Sequence, residues 1–136
     1  MNTFSLTIVT PDGLQYEGQA EELIVRAASG DLGILAGHIN CVAPLGMGMA
    51  TVKIAGEKRC GACIGGMVTV LNGTVKLVPT TFEWAEDIDT ARAKASEERA
   101  KGILEDKTSS DTDIRLAEAR LKRSLIRQSV AGYKPK

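Results

Sequence analysis

The first part of the chain alternates apolar and polar residues with a period of two, interrupted by short turn sequences. Residues 4–9 alternate in this way and end at the turn Pro11–Gly13. Because proline can preset φ and glycine can supply a positive φ, this unit predicts a strand and a tight turn. Further strands are predicted at residues 22–25, 49–54, 67–71 and 74–78, the last two joined by an Asn72-Gly73 hairpin turn. Many short strands at close spacing are typical of a β-sandwich or flattened barrel, here of about ten strands.

Glycines are concentrated in the same region, where twelve of the 14 precede residue 87. We expect residues 29–33 to form a loop. Residues 64–68 are expected to continue a strand, in which Gly65 and Gly66 mark turns and close backbone contacts because glycine lacks a Cβ. Neither glycine cluster is followed by the helix and lysine of a phosphate-binding loop.

Beyond residue 86 the hydrophobic period changes to that of a helix. Asp87 is a plausible N-cap, and the first helix is predicted to end near Asp106. Its apolar stripe is expected to comprise Ile88, Ala91, Ala95 and Ile103. The chain therefore divides into a sandwich domain, 1–86, and a helical domain, 87–136, which together make an α+β protein.

A polar break at residues 107–111 separates the first helix from a second one. The stripe of the second helix is expected to comprise Ile114, Ala117, Leu121 and Leu125. A five-residue connection makes the two helices antiparallel neighbours, so the C-terminal domain is predicted to be a two-helix hairpin. Its facing residues are largely alanine, which buries little area and holds the hairpin weakly. The hairpin is therefore a candidate for a moving part.

Charge is balanced over the whole chain but not along it. Lys and Arg number 17, as do Asp and Glu, so no overall field draws the molecule onto nucleic acid or an anionic membrane. Residues 114–136 nevertheless carry seven basic side chains against Glu118 alone. The second helix is thus a basic rod, whose charges either face water or meet an acidic partner.

Four side chains able to bind metal occur in two pairs, His38 with Cys41 and Cys60 with Cys63. This number meets the requirement of a structural zinc site. Positions three apart in a regular strand point to opposite faces, however, so we favour Cys60 and Cys63 as small buried hydrophobes. The odd number of cysteines and the absence of a secretion signal favour reduced thiols.

No catalytic constellation emerges from the chain. His38 is its only histidine, and no serine nucleophile elbow accompanies it. No stretch approaches the ~20 consecutive apolar residues of a membrane span, and the N-terminus lacks a basic region followed by an apolar run. We therefore expect a cytoplasmic protein without membrane insertion, required cofactor or metal.

The stretch Gly30–His38 resembles the signature loop of the epsilon subunits of rotary F-type ATP synthases. The likeness continues at Val9–Gly13, Pro44–Gly46, Gly65-Gly66, Asn72–Val75 and Ile88–Ala93. Each motif is short, but the set is in register over nearly the whole chain. The resemblance implies a β-sandwich with two C-terminal helices, in a peripheral subunit at the cytoplasmic face of a bacterial cell membrane.

The resemblance also implies a non-catalytic rotor subunit of the central stalk. In the family the sandwich joins the gamma subunit to the membrane rotor ring of c subunits, so that proton or sodium flow drives ATP synthesis. We expect Asp31 to meet the ring, and His38 with the apolar patch near Met47 and Met49 to face gamma.

The family's hairpin either folds on the sandwich or extends along gamma into the alpha/beta catalytic head. The extended state blocks ATP hydrolysis, with basic side chains approaching acidic segments of the beta subunits. The side chains expected to make these contacts are Arg115, Arg120, Lys122, Arg123 and Arg127.

Some bacterial relatives bind ATP as a regulatory ligand in the folded hairpin through an Ile/Leu-Asp-x-x-Arg-Ala motif. The matching residues are Ile88, Asp89, Arg92 and Ala93, with Glu83, Arg99, Arg123 and Arg127 as companions. Arginines can neutralise phosphates, and carboxylates can accept hydrogen bonds from an adenine amino group. Helix capping and packing explain the same motif, so both interpretations stay open.

Two other classes of protein remain as alternatives. One is a free-standing β-sandwich protein-binding module with a helical tail. The other is a small zinc-binding protein that uses His38, Cys41, Cys60 and Cys63. Retrieval of gamma and beta subunits favours the rotor subunit, whereas a monomer without these partners or a tightly bound metal favours the alternatives.

Overall fold

The computed structural model describes residues 2–133, which form ten strands followed by two helices. The strands are Phe4–Thr10 (β1), Gly13–Ala20 (β2), Glu22–Ala27 (β3), Gly30–Leu35 (β4), Cys41–Pro44 (β5), Met47–Ile54 (β6), Glu57–Ile64 (β7), Met67–Leu71 (β8), Thr74–Val78 (β9) and Thr81–Trp84 (β10). A 3₁₀ turn, Ala85–Asp87, leads into the helices Thr90–Glu105 (α1) and Asp111–Gly132 (α2). The predicted β-sandwich and helical hairpin are thereby confirmed.

The strands form two five-stranded sheets. Sheet A has the order β2-β1-β9-β8-β5, and sheet B has the order β10-β7-β6-β3-β4. Neighbouring strands are antiparallel except for β1 and β9, which run parallel, with residues 5–8 opposite residues 74–77. Sheet A is therefore completed only when the first strand pairs with a strand some 70 residues later in the chain.

The core lies between the inner faces of the two sheets. The period-two alternation of the strands places every second side chain there, and Leu6 and Ile8 are buried while Ser5 is exposed. The fully buried aliphatic side chains come from both sheets and include Leu6, Ile8, Val68, Val75, Leu77, Leu23, Val25, Ile34 and Val52. Complete burial of each stabilises the fold by about 1.5–3 kcal/mol.

Two predictions about the glycine-rich segments were wrong. Residues 30–35 form the strand β4, not a loop, because the pairing with β3 overrides the lack of alternation in a glycine-rich edge strand. Residues 64–68 are not one continuous strand, since Gly65 and Gly66 turn the chain between β7 and β8 with φ of 67° and 91°. The prediction of turns and close contacts at these two glycines is confirmed, because a Cβ on Gly66 would lie 2.0 Å from the Val78 carbonyl oxygen.

Both helices begin at capped N-termini. Asp89, not the predicted Asp87, caps α1 by accepting a hydrogen bond from the backbone N–H of Arg92 at 3.0 Å. Asp87 belongs to the preceding 3₁₀ turn, which displaces the helix start by two residues. Ser110 caps α2 in a capping box with Asp113, which satisfies two backbone N–H groups.

The seam between α1 and α2 is lined mostly by small side chains, as predicted. Ala100, Ala117 and Ser124 are fully buried there, and Ala93 is nearly so. The buried face predicted for α1 was wrong, because Ala91 and Ala95 are exposed. The buried face predicted for α2 is confirmed at Ala117 but not at Leu125, which is about half exposed. None of the helices within residues 2–133 is long and apolar enough to cross a membrane.

Candidate functional site

The outer face of sheet B carries the hairpin. Cys60 and Ala62 of β7 point to this face and pack against Val130 of α2, and all three side chains are buried. The surrounding, partly buried residues are Met49, Ala85, Ile88 and Ile126. Small side chains let α2 approach closely but bury little apolar area, so the apolar contact holds the hairpin only modestly.

An ion pair extends this docking contact. Arg127 of α2 donates from Nε to Oε1 of Glu83 on β10 at 2.7 Å. Glu83 lies opposite Ala62 in the β10–β7 ladder, so the ion pair flanks the apolar contact. Because both side chains are partly exposed to water, the pair contributes at most about 1 kcal/mol.

A second ion pair lies at the end of the docking contact, where Arg59 of β7 pairs with Glu86 of the 3₁₀ turn. The guanidinium of Arg59 also stacks over Trp84, 3.8 Å from the ring centroid. The hydrogen bond from Arg59 lowers the pKa of Glu86 below its usual value. This pair ties the start of the helical segment to sheet B.

The residues predicted to bind nucleotide are brought together only in part. Glu83 meets Arg127 directly, and Ile88 packs in the docking contact. The carboxylate of Asp89 is used to cap α1, and Ala93 is buried in the seam. These four residues thus have structural roles in the folded hairpin. One of them, Glu83, bonds Arg127, which was also predicted to contact nucleotide.

The remaining predicted nucleotide contacts are arginines. Arg92 and Arg99 are exposed and form no ion pair with any residue in the range 2–133. Arg123 is half-buried one helical turn before Arg127. Because Glu97 of α1 bonds Gln128 of α2, Arg99 and Arg127 lie at about the same level of the antiparallel hairpin.

Three of the five basic residues predicted to contact the beta subunits face outward. Arg115, Arg120 and Lys122 are exposed, and none of them forms an ion pair within the described part of the chain. In this conformation their charges face water. Among the described residues, Arg127 is the only one of the predicted basic contacts that forms an ion pair with the sandwich.

The residues predicted to meet other rotor subunits lie at separate places. Asp31 is exposed on β4 and pairs with Arg26 across the β3–β4 ladder at 3.1 Å. His38 is half-buried in the turn after β4, with Nδ1 2.8 Å from the backbone oxygen of the next residue. Met47 and Met49 are partly buried on β6, and Met49 packs into the docking contact. Met49 therefore faces the hairpin in this conformation.

The outer face of sheet A carries exposed apolar side chains among polar ones, a feature that the sequence reasoning missed. Val42 of β5 is 65% exposed and Leu71 of β8 is 62% exposed. They border a groove of about 760 Å³ lined by residues from β5, β8 and β9, including Lys76. The signal was present in β8, where Met67 and Leu71 are apolar on the outer face while Val68 and Val70 fill the inner one.

The three cysteines do not meet. Cys63 lies in the sandwich core, where burial raises the pKa of its thiol to about 12. Cys60 lies on the outer face under α2, which confirms that the two point to opposite faces, and burial raises its pKa as well. Cys41 lies on β5 of the other sheet. Within residues 2–133 no three His, Cys, Asp or Glu side chains are grouped to hold a metal ion.

Sequence reasoning also missed Glu97, a carboxylate buried in the seam between α1 and α2. It is only 4% exposed and accepts hydrogen bonds from Lys101 at 2.7 Å and Gln128 at 2.8 Å. Lys94 lies 3.3 Å away. The bonds from Lys101 and Gln128 lower the pKa of Glu97 to about 2. Charged residues are rarely buried between helices, so the hydrophobic pattern offered no reason to place Glu97 in the seam.

A β-sandwich followed by a docked helical hairpin defines the class of the protein. The ATP synthase Delta/Epsilon chain beta-sandwich domain matches residues 3–85, and the long alpha-helix domain of the same chain matches residues 86–132. The chain therefore belongs to the ATP synthase delta/epsilon chain family, and the resemblance inferred from its sequence motifs is confirmed.

Its relatives are epsilon chains of ATP synthase along their full length. The epsilon chain of Bacillus velezensis is 46% identical over 132 residues, covering 97% of this chain and 99% of the relative. That of Bacillus subtilis is 47% identical with the same coverage. A chain of the Euglena gracilis mitochondrial ATP synthase has the same fold, with a TM-score of 0.82 and 21% identity over 95% of this chain and 81% of that one.

Proposed function

We propose that the chain is a central-stalk subunit of a bacterial F-type ATP synthase that joins gamma to the c ring and has no active site of its own. It would act at the cytoplasmic face of the membrane. The observation that carries this proposal is the unequal use of the two outer faces of the sandwich. The hairpin covers sheet B, whereas the outer face of sheet A is left uncovered by the described residues and exposes apolar side chains such as Val42 and Leu71. Exposed apolar patches of this kind mark protein interfaces.

The comparisons support the choice of partners. The Euglena structure is described as an OSCP, F1 and c-ring assembly. A Tetrahymena thermophila chain with a TM-score of 0.61, 13% identity and coverage of 93% of this chain belongs to a structure described as central stalk and c ring. Both neighbours thus come from structures that contain a c ring, which is one of the two partners proposed here.

Gamma is placed on the outer face of sheet A in this proposal. Val42 and Leu71 supply the apolar centre, and Lys76 supplies a charge that fixes orientation. His38 lies in the connection from β4 to β5, two residues before Asn40, which lines the groove. The proposed gamma surface therefore keeps His38 but replaces Met49, which the hairpin covers, with Val42 and Leu71. Asp31, exposed at the edge strand β4, remains the candidate for the ring.

Charging the centre of this face tests the proposal. We expect the double variant Val42→Glu and Leu71→Glu to reduce co-purification with gamma and the c ring at least tenfold, because two carboxylates would be desolvated in the interface. Co-purification from cells and quantitative blotting of gamma measure the effect. The matched control is Leu116→Glu with Leu125→Glu, which charges two exposed leucines of α2 and should leave assembly unchanged.

Three outcomes separate the interpretations. Loss of gamma from the sheet A variant alone supports the proposed surface. Full recovery of gamma with that variant contradicts it. A parent chain that retrieves neither gamma nor ring subunits would instead favour the free-standing binding module.

A second role is favoured by the Glu83–Arg127 contact. Arg127 and Arg99 lie at the same level of the hairpin, and Arg127 is held by a carboxylate that a phosphate group can replace. We infer that the folded hairpin binds ATP between these arginines and the start of α1, and that the hairpin regulates ATP hydrolysis. Bound nucleotide would then favour the folded hairpin by linkage, because Arg127 reaches β10 only in that state.

Calorimetry of the full chain with ATP tests the nucleotide proposal. We expect one ATP per chain, and at least tenfold weaker binding for Arg127→Ala because a charge-assisted contact is lost. Arg115→Ala, an equal loss of charge at the other end of α2, serves as the control and should bind as the parent does. Absence of binding heat in the parent would leave helix capping and packing as the explanation of the Ile88–Ala93 motif.

A further inference from the structure

One short segment of α2, residues 126–130, makes three kinds of contact at once. Ile126 and Val130 pack on the sandwich, and Arg127 reaches β10. Gln128, which lies between them, reaches α1. The segment spans little more than one helical turn, at 3.6 residues per turn, so its side chains rotate as one rigid unit. A rotation of α2 that breaks one of these contacts therefore weakens the others.

The contact with α1 is made through a single acceptor, the buried Glu97. Gln128 donates from Nε2 to Oε1 of Glu97 at 2.8 Å, while Lys101 and Lys94 bond Oε2. Within residues 2–133 no other side-chain hydrogen bond joins α1 to α2. The polar connection between the helices is thus concentrated at the Glu97 carboxylate, and its donor Gln128 is adjacent to Arg127 in the sequence.

The remainder of the seam cannot substitute for this bond. Ala93, Ala100 and Ala117 each bury only a methyl group, and the hydroxyl of Ser124 donates to the Leu121 carbonyl of its own helix. A hydrogen bond to a charged acceptor is stronger than one between neutral groups. The bond to Gln128 therefore provides a large share of the specificity with which the two helices align.

The same arrangement makes the bond easy to release. Lys94 and Lys101 lie on α1 with Glu97, so the carboxylate keeps its cations when α2 moves away. Opening the hairpin then loses one cross-helix bond but leaves no uncompensated buried charge, which is the costly outcome of breaking most buried ion pairs. The helices can separate and close again at modest cost.

We propose that the Glu97–Gln128 bond is a releasable lock that couples the pairing of α1 with α2 to the docking of α2 on the sandwich. Glu97 acts as a positioning residue, because it sets the rotation of α2 and so aims Arg127 at Glu83. This proposal concerns the hairpin itself and does not depend on nucleotide binding or on the gamma surface.

The thiol of Cys60 reports docking directly, because α2 buries it. Full-length parent and variant chains are alkylated with iodoacetamide, and each cysteine is quantified separately by tandem mass spectrometry. We expect Glu97→Ala and Gln128→Ala each to accelerate Cys60 alkylation about tenfold, the effect of losing one charge-assisted bond. The double variant should also react about tenfold faster, not a hundredfold, since both substitutions remove the same bond. Glu97→Gln keeps an uncharged acceptor for Gln128 and should restore part of the protection, so its rate should lie between those of the parent and Glu97→Ala.

Two controls separate the lock from general destabilisation. Glu98→Ala removes a neighbouring carboxylate that also pairs with Lys94 but is exposed, and it should leave the rate for Cys60 within twofold of the parent. Cys63, in the sandwich core, should react no faster in any variant. Multiplicative effects in the double variant, parent-like rates in both single variants, or equal acceleration of Cys63 would each overturn the proposal.

Discussion

Replacing Gly66 with alanine is expected to destabilise the sandwich by about 4 kcal/mol, more than any other single methyl group added to a turn of this chain. The new Cβ would lie 2.0 Å from the carbonyl oxygen of Val78 and 2.7 Å from the Cα of Pro79. Both are backbone atoms, so they cannot rotate away as a side chain does. The steric overlap costs about 1–3 kcal/mol and the φ of 91° costs a further 1–2 kcal/mol for a residue with a Cβ.

Gly73→Ala is the matched control for this substitution. Gly73 has a similar φ of 81°, but a Cβ there meets nothing within 4 Å. It should therefore cost only the conformational part, about 1–2 kcal/mol. Urea unfolding of both variants, followed by tryptophan fluorescence of Trp84, measures the two free energies of unfolding. A Gly66→Ala protein within about 1 kcal/mol of Gly73→Ala would mean that the β7–β8 turn relaxes freely.

Much of the sandwich was predictable because its strongest signals are local. The hairpin of β8 and β9 follows from Asn72 and Gly73, which adopt the positive φ angles that a tight two-residue turn requires. β1 follows from its strict alternation, which the structure converts into alternating burial. In these segments the backbone preference of a few residues and the burial pattern agree.

Several of the strands that escaped prediction are defined by their neighbours. β4 contains Gly30 and Gly33 and has no alternating pattern, yet it pairs with six residues of β3. β2 and β5 are edge strands of sheet A with few buried side chains, so they carry little hydrophobic signal. Such strands form because a partner edge offers unpaired backbone groups, which is a tertiary effect that local propensity does not record.

The buried face of α1 was mispredicted for a related reason. Alanines at 91, 93 and 95 fit more than one helical face, and the residue that decides between them is Glu97. A charged side chain argues for an exposed position unless its partners are known. Lys101 is one turn away, but Gln128 is 31 residues away, so that the buried position of Glu97 depends on the folded hairpin.

Individual residues of the candidate site could be named from the sequence as a hypothesis, but their arrangement could not. Glu83 and Arg127 were both expected to contact nucleotide, and they are 44 residues apart in the chain yet 2.7 Å apart in the fold. Met49 was expected to face gamma, but it packs in the docking contact because the folded hairpin occupies that side of sheet B. The bare outer face of sheet A becomes visible only when the strand order is known.

Placing a carboxylate in the docking contact is expected to open the hairpin and, in the assembled enzyme, to change ATP hydrolysis. Val130 is 1% exposed against Cys60 and Ala62. In Val130→Asp the carboxylate would have to be buried without a partner, at a cost of several kcal/mol. Because the apolar docking patch is small, α2 should undock instead, and Cys60 should be alkylated about a hundredfold faster than in the parent.

Ser129→Asp introduces the same charge at the adjacent, exposed position and should leave Cys60 protected. If the proposed brake acts through the undocked hairpin, Val130→Asp should lower the ATPase activity of the assembled enzyme. Truncation after Glu86, which removes the hairpin, should raise it. Equal alkylation rates for Val130→Asp and Ser129→Asp would show that the patch does not hold the hairpin. ATPase changes of the same sign in Val130→Asp and the truncation would contradict the brake, because one variant frees the hairpin and the other deletes it.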